Sequence, residues 1–242
     1  MNSKEYALIV AGGKGTRIKS DRPKQFLSLN GMPVLMHTIL AFYKYSPSIE
    51  VVLVLPKDQI DTWRTLCVEH SFTTPLTIQP GGESRFQSVK RGLEIMTEGL
   101  VAIHDGVRPL VSQEIIATSF RVAAKNNSAV AAVPLKESIR MMENDNTKAL
   151  DRTKFKLIQT PQTFNVEMIR KAYELDEDQT LTDDASVAEK AGHLITLFDG
   201  SYDNIKITTM EDLVIAEALL ARAGMSTTHK KESRTNVGFN KI

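Results

Sequence analysis

Apolar residues along this chain fall into two alternating patterns. Tyr6–Val10, Val51–Leu55, Val101–Ile103 and Ala129–Val133 are short continuous runs, rich in β-branched residues and bounded by turn formers. That is the pattern of strands buried on both faces. Between them the apolar positions recur at helical spacing. Leu35, Ile39, Phe42 and Tyr43 follow Pro33, which suits the first position of a helix. Pro56 leads into a second helix over about 58–70, whose Trp63 and Cys67 read as core, and Leu76–Ile78 is a short strand. Gly81-Gly82 ends it, a third helix starts near Ser84, and a fourth covers 113–126. Repeated βα units of this kind predict an α/β protein with a mostly parallel, doubly wound sheet.

Residues 134–160 break the rhythm. Glu137–Met142 reads as one strand, Asn144-Asp145-Asn146 as a turn and Ala149–Arg152 as the returning strand. A lone hairpin is marginal in water, so this arm is expected to need a partner surface. Asn165 then caps a helix to about 177, and Thr182 or Asp183 caps another through Lys190. Leu194–Phe198 and Asn204–Thr208 read as short strands, and Thr209-x-x-Asp212 as a capping box for a helix over Leu213–Ala223. The expected organisation is one domain over 1–224, with 134–160 as its arm, and a polar, mobile tail over 225–242.

Composition narrows the function classes. The 242 residues carry 30 Lys and Arg against 29 Asp and Glu. A net charge of +1 gives no global basic field, so nucleic acid is not an expected partner and any anion site must be built locally. No apolar run approaches the ~20 residues of a membrane span, and no signal-peptide core precedes the first strand. The single cysteine, Cys67, and five scattered histidines offer no disulfide and no zinc motif. A reduced, cytoplasmic protein is expected.

Candidate chemistry starts where the first strand stops. Ala11-Gly12-Gly13-Lys14-Gly15-Thr16-Arg17 is a glycine-rich turn. Its backbone can approach a ligand closely, and its successive N–H groups can form an anion nest. Arg17 and Lys24 add two cations, so the stretch fits a polyphosphate. It is not a Walker A loop, because Gly15 follows Lys14. It is not the dinucleotide fingerprint either, because Ile18 stands at the third small position.

Further groups fall at the carboxyl ends of predicted strands, where doubly wound sheets bind ligands. Gly81-Gly82-Glu83-Ser84-Arg85-Phe86-Gln87-Ser88 can offer backbone contacts and the Ser88 hydroxyl to a base or ribose, or can be an ordinary helix start. With Phe86 where a final glycine would stand, it is no serine-hydrolase elbow. In His104-Asp105-Gly106-Val107-Arg108-Pro109, Asp105 can hold Mg²⁺ or accept from hydroxyls and Arg108 can grip a phosphate, or the two can simply pair; His104 reads as structural. Thr182 opens a helix that can receive a phosphate or be plainly capped. Lys206 sits in an apolar stretch where a charge needs a partner, a ligand or an edge position.

The motifs AGGKGTR, PKQF, GGESRFQSV, HDGVRP, DRTKF–QTPQTF, LTDDAS and DNIKIT occur in one order over residues 6–223. The first two resemble nucleotidylyltransferases of the cytidylyltransferase branch. Together the seven resemble the 2-C-methyl-D-erythritol 4-phosphate cytidylyltransferase family of the non-mevalonate isoprenoid pathway. The resemblance implies a Rossmann-like fold, CTP and a polyol phosphate as substrates, Mg²⁺ as cofactor, and a homodimer joined through the arm. Carried over by residue, it assigns Arg17, Lys24 and Lys206 to catalysis at the triphosphate. Ala11, Gly12, Gly13, Gly15, Gly81, Gly82 and Ser88 are assigned to the nucleotide. Asp105, Arg108, Thr182 and Ser138 are assigned to the acceptor, with Arg152 from a second subunit. Two positions depart from the family pattern: Ser138 replaces a common Thr, and Gly106-Val107 replaces a frequent pair of alanines. Ribitol-5-phosphate cytidylyltransferases share AGGKGTR and NIKITT. A uridylyl- or guanylyltransferase and a non-catalytic nucleotide-binding subunit stay open as well.

Overall fold

The structure, a computed structural model, describes residues 4–12, 22–144 and 146–235, with side chains to Arg222. In chain order the elements are β1 (Glu5–Val10), β2 (Ser28–Leu29), β3 (Met32–Pro33), α1 (Val34–Tyr45), β4 (Glu50–Leu55), α2 (Ile60–Glu69), β5 (Thr77–Pro80), α3 (Arg85–Leu93), β6 (Leu100–Asp105), α4 (Gln113–Asn126) and β7 (Ser128–Pro134). There follow β8 (Ile139–Glu143), β9 (Asn146–Leu150), β10 (Lys156–Asn165), α5 (Val166–Ala172), α6 (Asp184–Lys190), β11 (Leu197–Asp199) and α7 (Met210–Thr235).

Among the described residues, seven strands form one sheet in the order β11-β7-β10-β6-β1-β4-β5. Neighbours pair in parallel except at β10, which runs antiparallel to both β6 and β7. Alternation along each strand divides the core. Ala7, Ile9, Leu53 and Ala102 pack with α1, α2 and α4 on one face. Leu8, Val10, Val54 and Ile103 pack with α3, α5 and α6 on the other. A smaller cluster, including Leu29, Val107, Ile207 and Leu213, seats α7 beside the carboxyl edge.

From β1 the chain builds β4 and β5 to one side, then returns to lay β6 on the other. That reversal opens a crevice at the carboxyl ends of β1 and β6. The helix caps follow the sequence: Ser84, Asn165 and Asp183 each accept from a first-turn backbone N–H, and Asp183 with Ser186 forms a capping box. Thr209 accepts from Asp212 N at 3.3 Å at the start of α7.

Four features depart from or add to the expectations. Lys156–Asn165, where no strand is expected and whose start overlaps the expected 134–160 arm, is a central strand. Asn204–Thr208 forms no strand; it is held beside the sheet by Ile207 N donating to Val107 O at 2.9 Å. Asn30-Gly31, with φ of 48° and 81°, turns an unexpected small hairpin between β2 and β3. The last helix continues past Gly224 to Thr235, because one glycine in a helical stretch is a small penalty rather than a stop. The expected hairpin is present as β8 and β9, paired from Ile139↔Leu150 to Glu143↔Asn146; Asp145, in its turn, lies outside the described residues.

Candidate active site

The crevice holds a cavity of about 890 Å³. Its wall is built from the ends of β1, β4, β5 and β6: Ala11-Gly12, Pro56, Gly81-Gly82 and Asp105. Lys24, Ser88 and Lys206 reach it from the flanking segments. Gly13, Gly15 and Arg17 lie outside the described residues.

The side of the cavity formed by the glycine turns is narrow because the backbone is close. A Cβ on Gly81 would stand 2.8 Å from Ser88 Oγ, and one on Gly82 would stand 2.3 Å from Gln87 Cβ. Ser88 Oγ donates to Ser84 O at 2.8 Å and accepts from Gly82 N at 3.1 Å, so one hydroxyl ties the loop to α3. Gly106 has a similar constraint. Its Cβ would meet Ala11 Cβ at 2.8 Å and Leu35 Cδ1 at 3.0 Å, so the glycine lets the β6 turn lie against the β1 turn. Gly106→Val is expected to cost about 1–3 kcal/mol of stability by overpacking against Ala11 and Leu35. Thermal denaturation of the variant checks it.

Asp105 is the electrostatic centre. Its carboxylate meets Lys206 Nζ at 3.1 Å, Arg108 Nε at 3.2 Å and Arg85 Nε at 3.9 Å. Burial alone would raise its pKa, but Arg85, Lys206 and Arg108 together hold it well below the usual carboxylate range. Lys206, the charge in an apolar stretch, therefore has its partner. The sequence offered Asp105 as a metal ligand, and these surroundings do not fit one: the carboxylate is ringed by cations. Among the described residues no three His, Cys, Asp or Glu side chains come together to hold a metal ion.

Arg108 is buried and does not line the cavity; Nη1 donates to Asn204 O at 2.8 Å while Nε holds Asp105. It braces the site rather than facing it. Thr182 is exposed just ahead of α6 and is also outside the cavity lining. Ser138 and Arg152 are exposed at the base of the arm, with Arg152 Nη1 donating to Lys136 O at 2.5 Å, and neither reaches the cavity of its own chain.

Sequence reasoning missed three cavity residues. Gln25 is buried and donates through Nε2 to Ala11 O at 2.9 Å and to Gln59 Oε1 at 2.5 Å, tying the Lys24 segment to the β1 turn. Gln59 and Arg85 also line the cavity. Gln25 stands inside PKQF and Arg85 inside GGESRFQSV, and a polar residue within a motif was the available signal.

His104 is structural, as expected. It is fully buried, its Nε2 donates to Arg108 O at 3.1 Å, and its ring meets Phe42 edge-on with centroids 5.2 Å apart. Burial pushes its pKa down to about 4, so it stays neutral in the folded protein while an unfolded His titrates at 6.5. Stability is therefore full above pH 6.5 and falls as the pH drops towards 4, by about 3 kcal/mol from this residue between pH 7 and 4. Urea unfolding of wild type and His104→Gln across that range is expected to show the slope reduced in the variant.

Comparison with known proteins decides the family. The 2-C-methyl-D-erythritol 4-phosphate cytidylyltransferase family profile matches residues 6–222. The chain belongs to that family. The member from Bacteroides thetaiotaomicron bearing this enzyme name is 46% identical over 218 residues, spanning 90% of this chain and 100% of that one. The Porphyromonas gingivalis member is 45% identical over 91% of this chain and 99% of its own. A solved structure titled 4-diphosphocytidyl-2C-methyl-D-erythritol synthase, from Anaerococcus prevotii, superimposes with a TM-score of 0.78 at 28% identity, covering 90% of this chain and 96% of that one. The Thermus thermophilus cytidylyltransferase gives 0.70 at 29% identity, covering 90% and 98%.

Proposed function

We infer that this chain transfers the cytidylyl group of CTP to 2-C-methyl-D-erythritol 4-phosphate, releasing pyrophosphate. The observation that carries the reading is one cavity, at the β1/β6 reversal, walled by close-packed glycine turns and edged by Lys24 and Lys206, in a chain whose family match runs nearly end to end. It takes residues 1–224 as one nucleotidyltransferase domain, with the β8–β9 hairpin within the expected 134–160 stretch as its arm.

Ala11, Gly12, Gly13, Gly15, Gly81, Gly82 and Ser88 frame the nucleotide, and Arg17 with Lys24 faces the triphosphate. Asp105 and Thr182 receive the acceptor, with Arg108 holding Asp105. An oxygen of the acceptor phosphate attacks the α-phosphorus; a new P–O bond forms while the bond to the β-phosphate oxygen breaks, and pyrophosphate leaves with that electron pair. The phosphate nucleophile is ionised near pH 7, since its second pKa is about 6, so no enzymic base is needed. His104 would be a poor one, being buried and bonded to Arg108 O. Catalysis is alignment plus neutralisation of charge by fixed cations. Lys206 leaves Asp105 for the transferring phosphate as acceptor hydroxyls take its place. Mg²⁺ bound with the nucleotide would supply further neutralisation of the triphosphate charge.

The arm supports a homodimer. Both its strands are solvent-facing, and Met142 is 71% exposed. Phe155, Leu157 and Ile158 extend the apolar surface into β10. Pairing through this surface would let Ser138 and Arg152 reach a partner's acceptor subsite. A cytoplasmic location suits CTP supply, and no described helix is long and apolar enough to cross a membrane.

Pyrophosphate release with CTP and Mg²⁺ tests the reading, run in parallel with methylerythritol 4-phosphate and ribitol 5-phosphate. Release with the first is expected. Release with ribitol 5-phosphate alone would reassign the acceptor, and release with neither would overturn the catalytic reading.

A further inference from the structure

Asp184 is fully buried at the start of α6 and does not line the cavity. A carboxylate so placed needs full compensation. Asp184 has it: Arg85 Nη1 and Nη2 donate to its two oxygens, each at 2.7 Å, and Tyr173 Oη donates to Oδ1 at 2.5 Å. The Tyr173 ring is in turn packed on Phe86, with centroids 4.7 Å apart. Gln162 fixes the same helix start from β10, donating to Asp183 Oδ2 and accepting from Ala185 N, both at 2.8 Å.

The two-point grip fixes the plane of the Arg85 guanidinium. Arg85 keeps about a third of its side chain accessible, lines the cavity, and turns its Nε edge towards Asp105 Oδ1 at 3.9 Å. Arg108 and Lys206 meet the other oxygen, Oδ2. Asp105 thus meets cations on two sides: Arg108 of its own turn within hydrogen-bond distance, and Arg85, held by Asp184 of α6, by charge attraction at 3.9 Å.

We propose that Asp184 is a positioning residue for the acceptor subsite, acting through Arg85 to hold the Asp105 carboxylate in the orientation that receives the polyol. The proposal rests on the cytidylyltransferase reading. It predicts an effect confined to one substrate. Asp184→Asn keeps the shape of the side chain and removes its charge, which loosens Arg85. The acceptor KM is expected to rise about tenfold or more, with kcat changed less than about threefold and the CTP dissociation constant within about twofold of wild type. Tyr173→Phe removes one hydrogen bond and leaves the ion pair, so the same selective rise is expected at about two- to fivefold.

Steady-state kinetics with both substrates varied, together with CTP calorimetry, read these quantities. An unchanged acceptor KM in Asp184→Asn overturns the proposal. So does a rise in acceptor KM matched by an equal rise in the CTP dissociation constant, which marks general loosening. If Asp184→Asn does not fold, Tyr173→Phe decides by the same criterion. Wild-type protein without pyrophosphate release would remove the cytidylyltransferase reading and this inference with it; active wild type with unaffected variants would remove this inference alone.

Discussion

Lys206→Ala is expected to lower kcat by about two to three orders of magnitude while the CTP dissociation constant changes little. Lys206 is held 3.1 Å from Asp105 at the mouth of the cavity, on a segment pinned to the β6 turn through Ile207. It is thus anchored on a fixed segment from which it is proposed to turn from Asp105 to the transferring phosphate, and removal of such an electrostatic group typically costs that much in the chemical step. Binding is spared because Arg17, Lys24 and the glycine turns remain. Lys24→Ala is expected to lower kcat by a similar factor and to weaken CTP as well. Single-turnover kinetics at saturating substrates, alongside CTP calorimetry, separate the two effects. Near-normal kcat in both variants would remove the lysines from the mechanism.

Arg152→Ala is expected to lower kcat/KM for the acceptor about a hundredfold, as loss of an oriented phosphate clamp can, and the loss is expected to be repairable in trans. Arg152 lies at the base of the arm, exposed, and outside the cavity of its own chain. If each site takes Arg152 from its partner and Lys206 from itself, a mixed dimer of Arg152→Ala and Lys206→Ala chains contains one wild-type site and one doubly defective site. After unfolding and refolding together in equal amounts, half the dimers are mixed, so activity should recover to about a quarter of wild type. Each variant refolded alone should stay inactive. No recovery on mixing would place Arg152 outside a shared site. Met142→Asp, which puts a charge on the exposed arm, should yield a monomer by sedimentation with activity as low as Arg152→Ala.

The parts of the fold legible in the sequence were those whose burial is apolar. β1, β4, β6 and β7 announce themselves as unbroken runs because both faces of each are covered by aliphatic side chains. β10 is equally central yet reads Lys156-Leu157-Ile158-Gln159-Thr160-Pro161-Gln162-Thr163-Phe164-Asn165, and an internal proline argues against a central strand. The strand irregularity between Ile158 and Gln162 accommodates it. Its buried polar groups serve distant loops: Thr160 accepts from Asp105 N at 3.1 Å, Gln159 donates to Ser201 O at 2.8 Å, and Gln162 holds the start of α6. Such partners lie too far along the chain for a local pattern to record. The site shows the same division. Glycine turns and isolated cations stood out, whereas nothing local marks Arg85, whose partner Asp184 is 99 positions away.

The antiparallel strand also sets an order of events while the chain is being made. β7 pairs with β10 and β11 and with no other described strand. When β7 leaves the ribosome neither neighbour exists yet, and β6 has one open edge. The arm must then be synthesised before β10 arrives to bridge them. Closing that gap is a long-range pairing step, slower than the local βα units before it. A nascent chain paused within the arm would hold a nearly complete β1–β6 layer with an apolar strand waiting beside it. That interval is where a holdase would be needed most.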